Sequence, residues 1–137
     1  GISSSISFAG RLSDDLLPLA YGACDAFVLP TAALECFGII ALEALSAGRP
    51  VLATPIGAIP EILRKFEPEW LAQSAQVADI TSLLRRYLNG ELPDYSPVSL
   101  HDKVHQGYNS ARRLDEFIDT TVGGRLDSPP LTSYAVS

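Results

Sequence analysis

The stretch that decides the fold is residues 26–63, AFVLPTAALECFGIIALEALSAGRPVLATPIGAIPEIL. It opens with AFVLP, a short apolar run closed by proline, which is typical of a buried parallel strand. Residues 38–47 have the length and composition of a helix, and Gly48 is placed to end it as a left-handed cap. Residues 51–54 predict a second strand. The stretch therefore predicts a strand, a helix and a parallel strand, joined by a right-handed crossover.

Two glutamates are the chemically unusual feature of this unit. Glu35 follows the first strand and Glu43 lies in the apolar helix, with seven residues between them, a spacing written E-x7-E. In open α/β sheets, ligands bind beyond the carboxyl ends of the strands, where loops 31–37 and 54–57 should meet. An ionised glutamate on an apolar helix needs hydrogen-bond donors, and ribose hydroxyls would serve. At the helix start, Gly38 leaves room for a phosphate to approach free backbone N–H groups.

The order of short motifs around these glutamates resembles one enzyme family. In sequence order they are F-x-G, P-T, E-x-F-G, E-A, G-x-P-V and G-x-x-P-E. Residues 29–63 are similar to the signature segment of the family-four retaining glycosyltransferases, the "group 1" enzymes of the GT-B fold. The likeness extends over residues 5–88. It implies an α/β fold, a Rossmann-like parallel sheet with helices on both faces, forming the C-terminal half of a GT-B fold.

The resemblance also implies roles for individual residues. Glu35 would contact hydroxyls of the donor sugar as the catalytic residue, and Glu43 would hold the ribose hydroxyls. The other implied donor-binding residues lie near the sugar and phosphate oxygens or near the base: Phe37, Gly38 and Ile39, and Gly10, Arg11 and Leu12. The family implies no protein nucleophile, no metal and no cofactor.

The implied function is transfer of a hexose from a UDP- or GDP-linked nucleotide-sugar donor to an unknown acceptor, such as a sugar, a lipid-linked sugar or a small molecule. The family's nucleotide-binding half begins two βα units earlier, and the basic residues that neutralise the diphosphate lie there. The resemblance therefore implies a fragment that lacks the N-terminal part of the same enzyme and is inactive alone. The alternative is a non-catalytic α/β nucleotide-binding or interaction module.

Each candidate residue also has a plainer interpretation. Glu43 would be part of a solvated helix face, and Glu35 an ordinary loop acid. Gly38 and Gly57 would be turn glycines, and Arg11 a surface charge. On periodicity alone the plainer interpretation of Glu43 is favoured, and the complete motif order reverses that preference.

Composition limits the class of protein. The chain has 137 residues, a length that predicts one domain. Its formal charge is −6, which argues against a nucleic-acid-binding surface. It contains no run of about 18 uncharged apolar residues, so no transmembrane segment is predicted. Cys24 and Cys36 lack C-x-x-C spacing and predict free thiols in a cytoplasmic protein, with a disulfide between them as the minor alternative.

The remaining elements follow from local patterns. A strand over residues 5–8 and a helix from the cap Ser13 to residue 23 are predicted before the central unit. The core-facing residues predicted for that helix are Leu16, Leu17, Ala20 and Tyr21. The elements predicted after the central unit are a helix over residues 58–65, a short strand over 70–72, a helix over 79–89 capped by Gly90, and helices over 99–106 and 110–121.

These elements predict three parts of the chain. Residues 1–90 would form a partial nucleotide-sugar-binding domain, residues 91–122 helices that pack on it, and residues 123–137 a mobile tail. In the second part, His101 and His105 stand four residues apart, superficially as in a zinc-protease helix. No third ligand is evident and Asp102 replaces the usual glutamate, so a surface helix is favoured over a metal site.

Overall fold

A computed structural model describes residues 2–33 and 37–108 of the chain. In order, its helices and strands are α1 (Leu17–Ala23), β1 (Phe27–Leu29), α2 (Ile39–Ser46), β2 (Val51–Ala53), α3 (Ile59–Phe66), α4 (Val77–Leu88) and α5 (Pro97–Tyr108). Short 3-10 helices span Ser3–Ser5 and Pro68–Trp70. The alternation of strands and helices confirms the α/β class predicted from the central stretch.

The two strands pair in parallel, as the central stretch predicts. Phe27 aligns with Val51, and Leu29 aligns with Ala53. The predicted last strand is shorter than expected, because only Leu71 forms a parallel bridge, to Ala53. β2 thus lies between β1 and this bridge.

β2 forms the centre of the core. Val51, Leu52 and Ala53 are each 0% exposed. Because successive side chains of a strand point to opposite faces, both faces of β2 are covered. On α2, Ala41, Ala44 and Leu45 are buried, and two of these are alanines, which allow a helix to lie close to its neighbours.

The end of α2 is built as the sequence predicts. Gly48 adopts φ +74°, and its N–H donates to the Leu45 carbonyl at 3.0 Å. The Arg49 N–H donates to the Ala44 carbonyl at 3.0 Å, which completes a Schellman motif. A Cβ at position 48 would lie 2.8 Å from the Pro97 Cβ, so the start of α5 packs directly against this turn.

The N-terminal region differs from prediction. The expected strand over residues 5–8 is wrong, since Ser3–Ser5 is a 3-10 helix and Phe8 is 95% exposed. An isolated strand cannot satisfy its backbone hydrogen bonds, and within the described ranges β1 pairs with β2 and not with this segment.

The helix predicted from Ser13 begins later, at Leu17. The Ser13 carbonyl accepts the Leu17 N–H at 3.0 Å, but Pro18 has no N–H to continue the ladder back to residue 14. Of its predicted core residues, Tyr21 is buried and Leu17 is half-buried, whereas Leu16 and Ala20 are exposed, contrary to prediction.

The compact unit extends to Gly107 and so includes nearly all of α5. Leu100 and Val104 of that helix are buried. The division into parts ending at residues 90 and 122 stays a prediction, and the predicted helix over residues 110–121 and the tail lie outside the described residues. Among the residues described, none of the helices is both long enough and apolar enough to cross a membrane.

Candidate functional site

The loops that follow the two parallel strands are tied together by Thr54. Its N–H donates to the Leu29 carbonyl at 3.2 Å, and its hydroxyl lies 3.3 Å from that carbonyl and 2.5 Å from the carbonyl of Thr31. Thr54 is buried, so its contacts with the Leu29 carbonyl are shielded from water, and the contact with the half-buried Thr31 is partly shielded. Both loops therefore share the carboxyl edge of the sheet, as predicted. Thr54 is not among the predicted site residues, although a polar residue directly after a buried strand is a sequence signal for such a role.

Gly38 forms the left-handed turn that opens α2. It has φ +66°, and its carbonyl accepts the N–H groups of Ala41 and Leu42 at 3.0 and 3.2 Å. A Cβ here would lie 2.7 Å from Ile62 Cδ1 and 3.0 Å from Ile59 Cδ1. The backbone conformation therefore favours glycine, and a Cβ would also displace the ends of these two isoleucine side chains, so the plain interpretation as a turn glycine describes only part of its environment.

Phe37 and Ile39 lie on either side of this buried glycine and face outward. Phe37 is 77% exposed and Ile39 is 59% exposed. The Ala41 N–H is bonded to the Gly38 carbonyl, whereas the N–H groups before it, at the first positions of a helix, have no acceptor within the helix itself. The start of α2 therefore presents backbone donors and two exposed apolar side chains at the edge where ligands bind in α/β sheets.

Glu43 lies farther along α2 and its carboxylate is oriented by a second helix. The Tyr21 hydroxyl of α1 donates to Glu43 Oε2 at 3.0 Å. The Tyr21 ring packs edge-to-face on Phe27 of β1, with 5.3 Å between centroids and 75° between planes. Glu43 itself is exposed, so one carboxylate oxygen is held while the residue stays open to solvent.

The protonation state of this pair follows from its surroundings. Burial, then the hydrogen bond to Glu43 and its negative charge, raise the pKa of Tyr21 to about 12, with a smaller contribution from Cys24. The hydroxyl is therefore a donor at neutral pH. A carboxylate has about four lone-pair sites and Tyr21 uses one, which leaves acceptor capacity for hydroxyl groups of a ligand.

Three of the predicted site residues, Gly10, Arg11 and Leu12, lie in the segment before α1. Gly10 adopts φ +68° and a Cβ there would meet nothing within 4 Å. Arg11 is exposed and Leu12 half-buried, both before α1. In residues 2–33 and 37–108, no hydrogen bond joins these three positions to α2. Glu35 lies outside the described residues, so its predicted relation to Glu43 stays a prediction.

The histidine pair of α5 has a structural role at the end of α2. His101 Nδ1 lies 2.6 Å from the Ser46 carbonyl, and the His101 and His105 rings have centroids 4.2 Å apart. Within the described part of the chain, no group of three potential metal ligands comes together. These contacts fit the surface-helix interpretation of this motif.

Comparison with known proteins gives a family match. Residues 1–106 match the family described as "Glycosyl transferases group 1". The chain is 36% identical over 85 residues to sulfoquinovosyl transferase SQD2 of Arabidopsis thaliana, which covers 60% of this chain and 16% of that protein. It is 32% identical over 93 residues to 2-deoxystreptamine glucosyltransferase of Streptomyces kanamyceticus, covering 68% and 24%. It is 35% identical over 89 residues to phosphatidyl-myo-inositol mannosyltransferase of Mycobacterium leprae, covering 62% and 24%.

The matched region spans between 16% and 24% of the length of these relatives. The parallel strand pair with its helices is consistent with the C-terminal, Rossmann-like half of a GT-B glycosyltransferase. The family match takes in all the described elements except the last residues of α5. The chain belongs to the group 1 glycosyltransferase family.

Proposed function

We propose that this chain is the donor-binding part of a retaining glycosyltransferase that moves a hexose from a UDP- or GDP-linked sugar to an acceptor. The observation that carries the proposal is the Tyr21–Glu43 hydrogen bond, which holds a carboxylate on the helix that opens at Gly38. Membership of the group 1 family supports it.

The spacing along α2 suits a nucleoside diphosphate. Glu43 follows Gly38 by five residues, which places it about 7.5 Å farther along the helix axis at 1.5 Å per residue. That separation is comparable to the distance between the ribose hydroxyls and the diphosphate of one nucleotide. The backbone donors near Gly38 would then meet phosphate or sugar oxygens while Glu43 accepts from ribose.

The rest of the donor is assigned by the family likeness. Glu35 contacts hydroxyls of the transferred sugar, and Gly10, Arg11 and Leu12 lie near the base. Transfer needs the sugar's anomeric carbon to be oriented and the charge on the leaving diphosphate to be stabilised. We assign the basic groups for that charge, and the acceptor site, to another part of the enzyme, since the matches cover a minor share of each relative.

Cysteines without C-x-x-C spacing support a cytoplasmic location.

Calorimetric titration of UDP-, GDP- and ADP-sugars onto the full chain tests this function. We expect a UDP- or GDP-sugar to bind, and Glu43→Ala to weaken binding at least about tenfold through loss of a charge-assisted hydrogen bond. Glu91→Ala is the matched control, because Glu91 is an exposed glutamate beyond the end of α4 and should leave affinity unchanged.

Two outcomes would contradict the proposal. If none of the three sugars binds to a chain whose circular dichroism spectrum shows folded α/β structure, the non-catalytic module is the better description. If Glu43→Ala binds the nucleotide-sugar as tightly as the wild type, the ribose is held by another residue.

A further inference from the structure

The Glu43 carboxylate of α2 accepts a hydrogen bond from Tyr21, a side chain of a different helix, α1. We propose that Tyr21 is a positioning residue: its hydroxyl fixes the Glu43 carboxylate in the orientation that accepts hydrogen bonds from ribose, and so sets the preference for ribonucleotides over deoxyribonucleotides. This inference rests on the proposed function, because it assumes that Glu43 contacts the ribose.

The tyrosine is immobilised before any ligand binds. Tyr21 is 7% exposed, and its ring is packed edge-to-face on Phe27, which is itself paired with Val51 in the sheet. The Cys24 thiol donates to the Tyr21 carbonyl at 3.2 Å, a further contact in the same turn. The ring that carries the hydroxyl therefore packs directly on a strand of the central sheet.

The glutamate, by contrast, needs to be held. Glu43 is exposed on α2, and a free glutamate samples many rotamers that a ligand must restrict on binding. A hydrogen bond from a fixed donor removes part of that cost in advance, as in other preorganised sites. The oxygen that Tyr21 leaves unused then points to a defined region instead of sampling solvent.

A purely structural role gives a different expectation. A buried tyrosine hydroxyl usually needs a partner, and Glu43 could serve only to satisfy it. In that case Tyr21→Phe would alter stability and would lower affinity for ribo- and deoxyribonucleotides alike or not at all. The ratio of the two affinities separates the two roles.

The test measures the affinities of the full chain for UDP and GDP and for their 2′,3′-dideoxy forms. Four proteins are compared: wild type, Tyr21→Phe, Glu43→Gln and the control Tyr87→Phe. Tyr21→Phe keeps the ring on Phe27 and removes only the hydroxyl. Tyr87→Phe removes a tyrosine hydroxyl that donates to the Asp25 carbonyl at 3.0 Å, a contact made by α4 and not by Glu43.

We expect wild type and Tyr87→Phe to prefer the ribonucleotide by the same factor, and Glu43→Gln to lose most of the preference. Tyr21→Phe should reduce the preference about fivefold by weakening the ribonucleotide alone, a fraction of the effect of a charge-assisted hydrogen bond. An unchanged ratio in Tyr21→Phe would overturn the inference, whether or not the variant is less stable.

The two proposals fail in distinguishable ways. If wild type binds no nucleotide, or if Glu43→Gln keeps the full preference, the proposed function fails and the positioning role fails with it. If Glu43→Gln loses the preference while Tyr21→Phe keeps it, Glu43 contacts ribose and Tyr21 does not position it. A thermal denaturation of each variant shows that the compared proteins are folded.

Discussion

The backbone of Gly38 lies directly against the side chain of Ile62, so that a Cβ at position 38 would lie 2.7 Å from Ile62 Cδ1. Ile62 belongs to α3 and is buried. α3 therefore closes the space beneath the first turn of α2. Since Gly38 also adopts φ +66°, a side chain at this position would strain the backbone and would displace the end of Ile62 as well.

Gly38→Ala should destabilise the protein by about 1–3 kcal/mol, because left-handed backbone strain is joined by displacement of the end of the Ile62 side chain. Urea denaturation measures the change in the free energy of unfolding. Gly90→Ala is the control: Gly90 has φ +69°, but a Cβ there would meet nothing within 4 Å. Gly90→Ala should lower the free energy of unfolding by about 1 kcal/mol, from backbone strain alone. Equal losses in the two variants would show that the contact with Ile62 does not matter.

Thr54→Val should destabilise the fold by about 1–3 kcal/mol, because the shape is kept while the Thr31 carbonyl loses its hydroxyl donor and the Leu29 carbonyl keeps only the N–H of residue 54. Affinity for the nucleotide-sugar should fall as well, since the loop after β1 is no longer tied to the loop after β2. Thr81→Val, at a half-buried position on α4, provides the control for the same chemical change. If both variants unfold at the same urea concentration as wild type, Thr54 does not join the two loops.

Alkaline stability should depend on Tyr21. Its pKa is raised from 10.0 to about 12 in the folded state, so the folded protein holds this proton more tightly than the unfolded chain does. The stabilising effect is fully present below about pH 10 and is lost as the pH rises towards 12. The free energy of unfolding of wild type should therefore fall more steeply over this range than that of Tyr21→Phe.

The comparison isolates Tyr21 because other groups titrate in both proteins. Tyr87 also has a raised pKa, caused first by its burial, and it is present in both. Glu43 on α2 and Cys24 after α1 are the charged or titratable groups that act on Tyr21, and they too are unchanged. Parallel pH dependences of wild type and Tyr21→Phe would contradict the environment assigned to this hydroxyl.

The sequence predicted the central unit because its signals are local. β1 and β2 pair with each other within one stretch of the sequence, so the partner of each strand is part of the same pattern. Gly48 and Gly90 end their helices through backbone geometry that favours glycine. Both caps form the expected pair of hydrogen bonds. At the second cap, the Gly90 N–H donates to the Tyr87 carbonyl and the Glu91 N–H donates to the Arg86 carbonyl.

Other features depend on contacts that no local pattern encodes. A strand over residues 5–8 requires a neighbour in a sheet, and the described residues provide none to it. The Tyr21–Glu43 hydrogen bond joins residues 22 apart and depends on how α1 packs on α2, so periodicity gave Tyr21 only as a core residue. The role of Glu35 rests on family likeness, and the described residues do not include it.

The most direct test of the proposed site is a crystal structure of the full chain with UDP or GDP bound. We expect an oxygen of the Glu43 carboxylate about 2.5–3.0 Å from a ribose hydroxyl, with the Tyr21 hydroxyl still bonded to the same carboxylate. A ribose bound elsewhere, with Glu43 facing only solvent, would contradict it.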